Sequence, residues 1–261
     1  MNKIFYTWRL AMTGLAFALF GTGALLLSVC VFPLLWVLPG TAAARTRRIR
    51  AVLKLAFTAF IGFLRLFGVM RLHIDHPERL HAAGEVIVIA NHPTYLDVVV
   101  LLSLISDAAC VVKASHWRHP CYAGVMRAAR YVSNATHEGL IADGARALET
   151  GCPLLIFPEG TRSTPGQPMK FLRGAAYIAL SSGKPILPVL IFCDPPALGK
   201  QHRWYDIPDR PFHIRVVTLP AVSAAGLLDA GPAATPVLAA RRLTEGLESF
   251  FMQELDVHGR T

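Results

Sequence analysis

Hydrophobic positions follow two different rhythms along this chain. Residues 10–38 form an uncharged apolar stretch, longer than the roughly 20 residues that cross a bilayer. Residues 55–70 form a second one, with Phe57, Phe60, Phe63 and Phe67 at helical spacing. Such an aromatic stripe serves either as core or as the face of a helix lying in a membrane interface. From residue 71 the pattern turns into short apolar runs separated by helical segments. Alternation over 71–75 predicts an edge strand, and the unbroken run at 85–90 predicts a buried one. Further strands are predicted at 108–113, 131–133, 152–157, 185–192 and 213–219, and helices at 119–129, 140–150, 171–182 and 241–255. Residues 220–236 read as a surface connection rich in Ala, Gly and Pro. The expectation is an α/β fold, a mixed sheet flanked by helices, with an N-terminal hydrophobic helical membrane-anchoring segment. Residues 1–70 would be the membrane-associated helices and 71–261 the α/β domain.

Composition sharpens the membrane reading. Hydrophobic residues make up 53% of the 261 and charged residues 16%, with a mean hydropathy of +0.43. A net charge of +9 suits nucleic acid, anionic lipid or acidic substrates. Basic and aromatic residues do not interleave as they do in nucleic-acid motifs, so membrane lipids are the expected partner and no nucleic acid is. Arg45, Arg47, Arg48, Arg50 and Lys54 form a juxtamembrane block expected to meet anionic headgroups on the cytoplasmic side. Lys3 and Arg9 flank the other end, which leaves room for a re-entrant pair with both ends cytoplasmic. Pro33 is expected to kink or end the first helix. The five cysteines are scattered without a C-x-x-C pair, so neither a disulfide framework nor a zinc site is expected.

Two polar clusters follow buried strands, where open α/β sheets hold their sites. The first is Asn91-His92-Pro93-Thr94-Tyr95-Leu96-Asp97. Pro93 suits a first helical position, which would leave His92 at the cap and let its imidazole fold back onto Asp97. That pair is a general base with its orienting partner; the bland alternative is a satisfied cap histidine beside an unrelated aspartate. The second is Pro158-Glu159-Gly160-Thr161-Arg162-Ser163. Gly160 permits a turn, Arg162 offers a fork for phosphate, and Glu159 can accept from a hydroxyl or orient Arg162. A solvated loop with an internal Glu–Arg pair is the alternative there. Lys113 ends another strand on the same edge, and Lys170 and Arg173 open the next helix, where an anion can also bind.

The His-x4-Asp turn followed by Phe-Pro-Glu-Gly-Thr-Arg-Ser resembles the glycerolipid acyltransferase family, whose bacterial members include 1-acylglycerol-3-phosphate acyltransferases. The resemblance covers roughly residues 70–220 and includes Lys184-Pro185-Ile186-Leu187-Pro188-Val189, with Pro188 as the characteristic residue of the family's fourth block. It implies acyl transfer from acyl-carrier protein or acyl-CoA to a lysophospholipid hydroxyl. His92 would act as base and Asp97 as its orienter, with no cofactor and no enzyme nucleophile. It also implies that Glu159, Gly160, Thr161 and Arg162 bind the acceptor, with Lys113, Arg173 and Pro188 as further substrate-binding positions. A bacterial inner membrane with the domain facing the cytoplasm is the expected location. One block departs from the pattern: the family's Asp-Arg pair is replaced by Ser133-Asn134, which removes a cation for the acceptor phosphate unless Arg127 or Arg130 substitutes. A lyso-ornithine lipid or another specialised-pathway lipid is therefore an alternative acceptor. Hydrolysis of the thioester by water and a non-catalytic membrane role on the same scaffold are readings from other classes.

Overall fold

The computed structural model describes residues 3–164, 167–228 and 235–259. In chain order the elements are α1 (Lys3–Leu26), a π-helical turn (Leu27–Val31), α2 (Phe32–Val37), α3 (Ala42–Leu66), β1 (Met70–Asp75), α4 (Pro77–His81), β2 (Ile87–Ala90), α5 (Asp97–Leu104) and β3 (Ala109–Val112). A 3-10 turn (Ala114–Arg118) leads to α6 (Ala123–Ala128), β4 (Val132–Ser133), α7 (His137–Glu149), β5 (Leu154–Ile156), α8 (Gly174–Ser182), β6 (Ile186–Asp194) and β7 (Phe212–Thr218). After a second 3-10 turn (Ala224–Leu227), α9 (Pro236–Gly259) closes the chain. Part of the connection expected at 220–236 lies outside the described residues.

The seven strands form one mixed sheet in the order β1-β7-β6-β2-β5-β3-β4. Strands β6, β2, β5, β3 and β4 run parallel, whereas β7 is antiparallel to β6 and carries β1 alongside it. Strand β2 lies between β5 and β6, with Ile87 opposite both Leu154 and Ile186. Because side chains alternate across a strand, Val88 and Ala90 pack on one face with α3 and α5. Ile87 and Ile89 pack on the other with α7, α8 and α9. Covered on both faces, β2 has to be apolar throughout. Gly183 ends α8 in the left-handed region (φ 63°), as a glycine helix stop does.

The N-terminal helices differ from the expectation in how they are attached. The apolar stretch is one helical run, Lys3–Val37, long and apolar enough by length and composition to cross a membrane. Pro33 does not end it; the π turn just before it takes up the interrupted hydrogen-bond ladder, and Phe32 N–H reaches Leu27. The first half of the helix rests on the domain: Arg9 is buried and donates to the Asp209 carbonyl at 2.5 Å. Further along, Leu26, Val29, Leu34, Trp36 and Val37 are exposed.

Helix α3 begins at Ala42, capped by Thr41, so the basic block belongs to its first turns. Its aromatic stripe meets α1: Phe20 packs on Phe57 and Phe60, and Trp8 packs on Phe67 and donates to its carbonyl. The expected change near residue 70 marks where helices give way to strands, and the core runs across it through Ile61, Leu64, Val69 and Met70.

Two members of the basic block turn inward rather than toward headgroups. Arg50 is buried and donates to Ala129 O (2.8 Å), to Asp107 O and Oδ1 (each 3.2 Å), to Cys152 Sγ (2.6 Å) and to Arg130 O (3.5 Å). Lys54 donates to Leu104 O and Ser106 Oγ. The physical reason is phase: Thr46, Arg50, Leu53, Phe57, Ile61 and Leu64 lie on one helical stripe, and that stripe faces the domain. Arg47 remains exposed.

Candidate active site

Strand β2 ends at Ala90, and Asn91 fastens the end of the strand to β6. Its side chain donates to Ile191 O at 2.8 Å and accepts from Ile191 N at 2.7 Å. The following turn is tighter than a helix starting at Pro93. Helix α5 begins at Asp97, and its N-cap position is Leu96 rather than His92. Thr94 N–H donates to Asp97 Oδ2 (2.7 Å), Thr94 Oγ1 donates to Asp97 Oδ1 (2.6 Å), and Leu96 N–H donates to Thr94 Oγ1 (3.1 Å). The bond from Thr94 N–H to the Asp97 carboxylate is one half of a capping box; Thr94 Oγ1 itself accepts from Leu96 N–H and donates to the same carboxylate. Asp97 is fully buried, and its Oδ2 lies 2.8 Å from Nδ1 of His92. An ionised carboxylate only accepts, so the ring proton sits on Nδ1 and Nε2 keeps its lone pair. The His92 side chain is 17% exposed and leans on the Phe157 ring, 4.3 Å between centroids.

The second cluster stands beside it because β5 is the neighbour of β2. Ser163 N–H donates to His92 O (2.7 Å), while His92 N–H donates to Glu159 Oε1 (3.0 Å) and to Ser163 Oγ (3.2 Å). Ser163 Oγ in turn donates to Glu159 Oε1 at 2.6 Å. Glu159 therefore grips the backbone of the histidine rather than orienting Arg162. Burial pushes its carboxyl above the ordinary range, against the opposing pull of Ser163 and the His92 N–H. Gly160 adopts φ 63°, a conformation that favours glycine, and a Cβ there would push the exposed Leu172 side chain aside. Thr161 is exposed.

Arg162 is half-buried and engaged by the protein itself. Its Nη1 donates to Leu198 O (3.1 Å) and Gly199 O (2.6 Å), its Nη2 donates to Tyr95 Oη (2.9 Å), and its guanidinium lies 3.5 Å from the Tyr95 ring centroid. It thus ties the His92 turn to the loop after β6. Lys113 is exposed just beyond β3 on the same edge of the sheet, and Arg173 is exposed at the start of α8. Pro188 does not join them. It is buried within β6 opposite Ile89, its carbonyl accepting from Leu219 N–H, and it belongs to the sheet. At the departing block, Asn134 Oδ1 accepts from Ala114 N at 2.8 Å and fastens β4 to the turn after β3.

Sequence reasoning overlooked Thr94 and Ser163. Thr94 was open to detection, since Thr-x-x-Asp puts a carboxylate within reach of the threonine N–H; Ser163 stands in the Phe-Pro-Glu-Gly-Thr-Arg-Ser string, but its bonds to the His92 backbone arise only through the β2–β5 pairing. Among the described residues, no group of three or more His, Cys, Asp and Glu is arranged to hold a metal ion.

Comparison with known proteins fits this layout. A family model described as Acyltransferase matches residues 71–192, the stretch that carries both clusters. Human 1-acyl-sn-glycerol-3-phosphate acyltransferase beta is 28% identical over 141 residues, 50% of each chain. The Pseudomonas aeruginosa 1-acyl-sn-glycerol-3-phosphate acyltransferase is 46% identical over 50 residues, 19% of this chain and 20% of that one. The chain thus spans half the length or less of these two curated relatives. The crystal structure of PlsC, the 1-acyl-sn-glycerophosphate acyltransferase of Thermotoga maritima, superposes with a TM-score of 0.70 at 18% identity over 97% of each chain, which establishes a shared fold. Both polar clusters thus lie inside the stretch that matches the Acyltransferase model, and the fold is shared with PlsC over nearly the whole length.

Proposed function

We propose that this protein is a membrane-bound O-acyltransferase. It would move a fatty acyl group from acyl-carrier protein or acyl-CoA to a lysophospholipid hydroxyl, with 1-acylglycerol-3-phosphate as the acceptor and phosphatidic acid as the product. The observation that carries this reading is the His92–Asp97 pair, a base with a fixed tautomer whose far nitrogen lies at a partly open sheet edge. Nε2 takes the acceptor proton as the alkoxide oxygen attacks the thioester carbonyl carbon. The tetrahedral intermediate collapses, the C–S bond breaks, and the imidazolium returns the proton to the departing thiolate. Asp97 stabilises that imidazolium without itself taking the proton. Glu159 and Ser163 hold the backbone from which the imidazole projects. No cofactor enters this sequence of steps. A bacterial inner membrane with the domain on its cytoplasmic side is the location that goes with these substrates.

The same chemistry on an acceptor without a phosphate monoester is the second reading, and Arg162 favours it. Its fork is taken up by two carbonyls and Tyr95, and the block that would supply another arginine reads Ser133-Asn134. A panel of lysolipid acceptors, with His92→Ala as control and the products read by mass spectrometry, decides between them. Turnover of 1-acylglycerol-3-phosphate supports the first reading, and turnover of another lysolipid alone supports the second. Thioester loss that needs no acceptor, or product formation undiminished by His92→Ala, overturns both.

A further inference from the structure

Between Asp107 and Glu138 the chain carries no carboxylate, while Lys113, Arg118, Arg127 and Arg130 fall within it together with His116, His119 and His137. This stretch contains the 3-10 turn Ala114–Arg118 and α6, and it packs against the far end of the N-terminal helix. Tyr122 stacks on His119 and meets Phe20 of α1, and a Cβ on Gly124 would overlap Ser28. Between the two lies a groove of about 470 Å3 lined by Ser28, Phe32, Pro33, Trp36, Gly124 and Arg127. Arg45 stands over the Trp36 ring at 5.8 Å, and Arg127 Nη2 donates to the Trp117 carbonyl, so two guanidinium groups flank the groove.

We propose that this groove binds the phosphate headgroup of an anionic membrane phospholipid. Three observations converge on it. The first is the excess of cations over carboxylates between Asp107 and Glu138; burial lowers the pKa of His116 there, and His119 and Lys113 lower it further. The second concerns donors. Four buried side-chain polar atoms among the described residues lack a hydrogen-bond partner, and two belong to residues that touch the groove lining: Arg45 Nε, beside Trp36, and Trp117 Nε1, whose carbonyl holds Arg127. Buried donors without partners are rare, and an acceptor-rich, negatively charged ligand is what such a set fits. The third is the apolar wall. Leu34, Trp36 and Val37 are exposed beside the groove, as suits a surface immersed at the level of headgroups. An acidic carrier protein would meet the cations equally well but has no use for that wall, and this decides for lipid. The inference does not depend on the acyl-transfer reading, because the groove shares no residue with the His92 turn.

The test uses the full chain carrying His92→Ala, so that turnover does not alter the lipids. It is reconstituted in phosphatidylcholine bilayers doped with either brominated phosphatidylglycerol or brominated phosphatidylcholine. Bromine quenches nearby tryptophan, and the difference from a Trp36→Phe partner isolates the Trp36 signal. Brominated phosphatidylglycerol should quench Trp36 at several-fold lower mole fraction than brominated phosphatidylcholine. Arg127→Gln and, independently, Arg45→Gln should each weaken that preference about five-fold, the effect of one basic residue at an anionic surface. Equal quenching by the two lipids, or a preference that survives both substitutions, overturns the proposal. So does displacement by inorganic phosphate, which would mark a free-anion site, or by an acidic carrier protein, which would mark a protein-docking site.

Discussion

The sheet carries a buried polar cluster at each of its two edges, and they are built to opposite ends. Where the parallel strands finish, Asp97 is fully buried and accepts from Thr94 and His92, yet the histidine it holds keeps one nitrogen at a partly open surface. Where those strands begin, the Arg50 guanidinium reaches Asp107, Cys152 and the carbonyls that precede β4. Every Arg50 nitrogen has a protein acceptor, and Cys152, although beside that cation, has its thiol pKa raised by burial. Each cluster satisfies its buried charge. Only the first leaves a lone pair over, and that surplus is what the proposed proton transfer would use, whereas the second cluster joins α3 to the sheet.

Substitutions can break this contrast in a definite order. His92→Ala should lower turnover by about 10²–10⁴-fold, the usual contribution of a general base. The melting temperature should stay near that of the parent, which calorimetry checks. Arg50→Met should do the reverse. Removing one partner of a buried pair costs about 3–5 kcal/mol, and the lower end applies here because Asp107 is 35% exposed. Denaturant unfolding should register that loss, while kcat per folded molecule holds. If Arg50→Met abolished turnover in protein shown to be folded, the division of labour would fail.

Thr94→Ala tests whether the turn before α5 belongs with the catalytic cluster. It removes a donor to Asp97 and the acceptor of Leu96 N–H, so stability should fall by about 1 kcal/mol. Turnover should fall about ten-fold, in line with a lost hydrogen bond to a charged group, with the acceptor KM little changed. Glu159→Gln carries the smallest expected effect. Because the folded-state pKa of Glu159 is raised, its protonated form contributes stability that is fully present below the ordinary carboxylate range. That contribution is lost as pH rises through the elevated value. Gln keeps the acceptor for His92 N–H and Ser163 but cannot titrate, so the stability–pH curve should flatten over that window.

How much of this was legible in the sequence depended on whether the deciding signal was local. Strand β2 could be read because a strand covered on both faces must be apolar at every position, and 85–90 nearly is. The His92 turn was recognisable as a cluster, but its cap was assigned to the wrong residue. Proline at a first helical position was weighed, and Thr94-x-x-Asp97 was not. Arg50 was misread because its neighbours Arg47 and Arg48 suggested a charge run, although its place on the stripe with Leu53 and Phe57 turns it inward. Ser163 and the capture of Arg162 by Leu198 and Gly199 were beyond reach, since both depend on which strands and loops become neighbours in the folded sheet.

The carboxylate of Asp97 serves two clients at once, closing the turn that leads into α5 and fixing the imidazole of His92. Helix ends are the places where helices fray, so here fraying and disarming are one event. On the proposed reading this is a thermal fuse: warming that loosens this one turn should silence the base before the sheet beneath it unfolds.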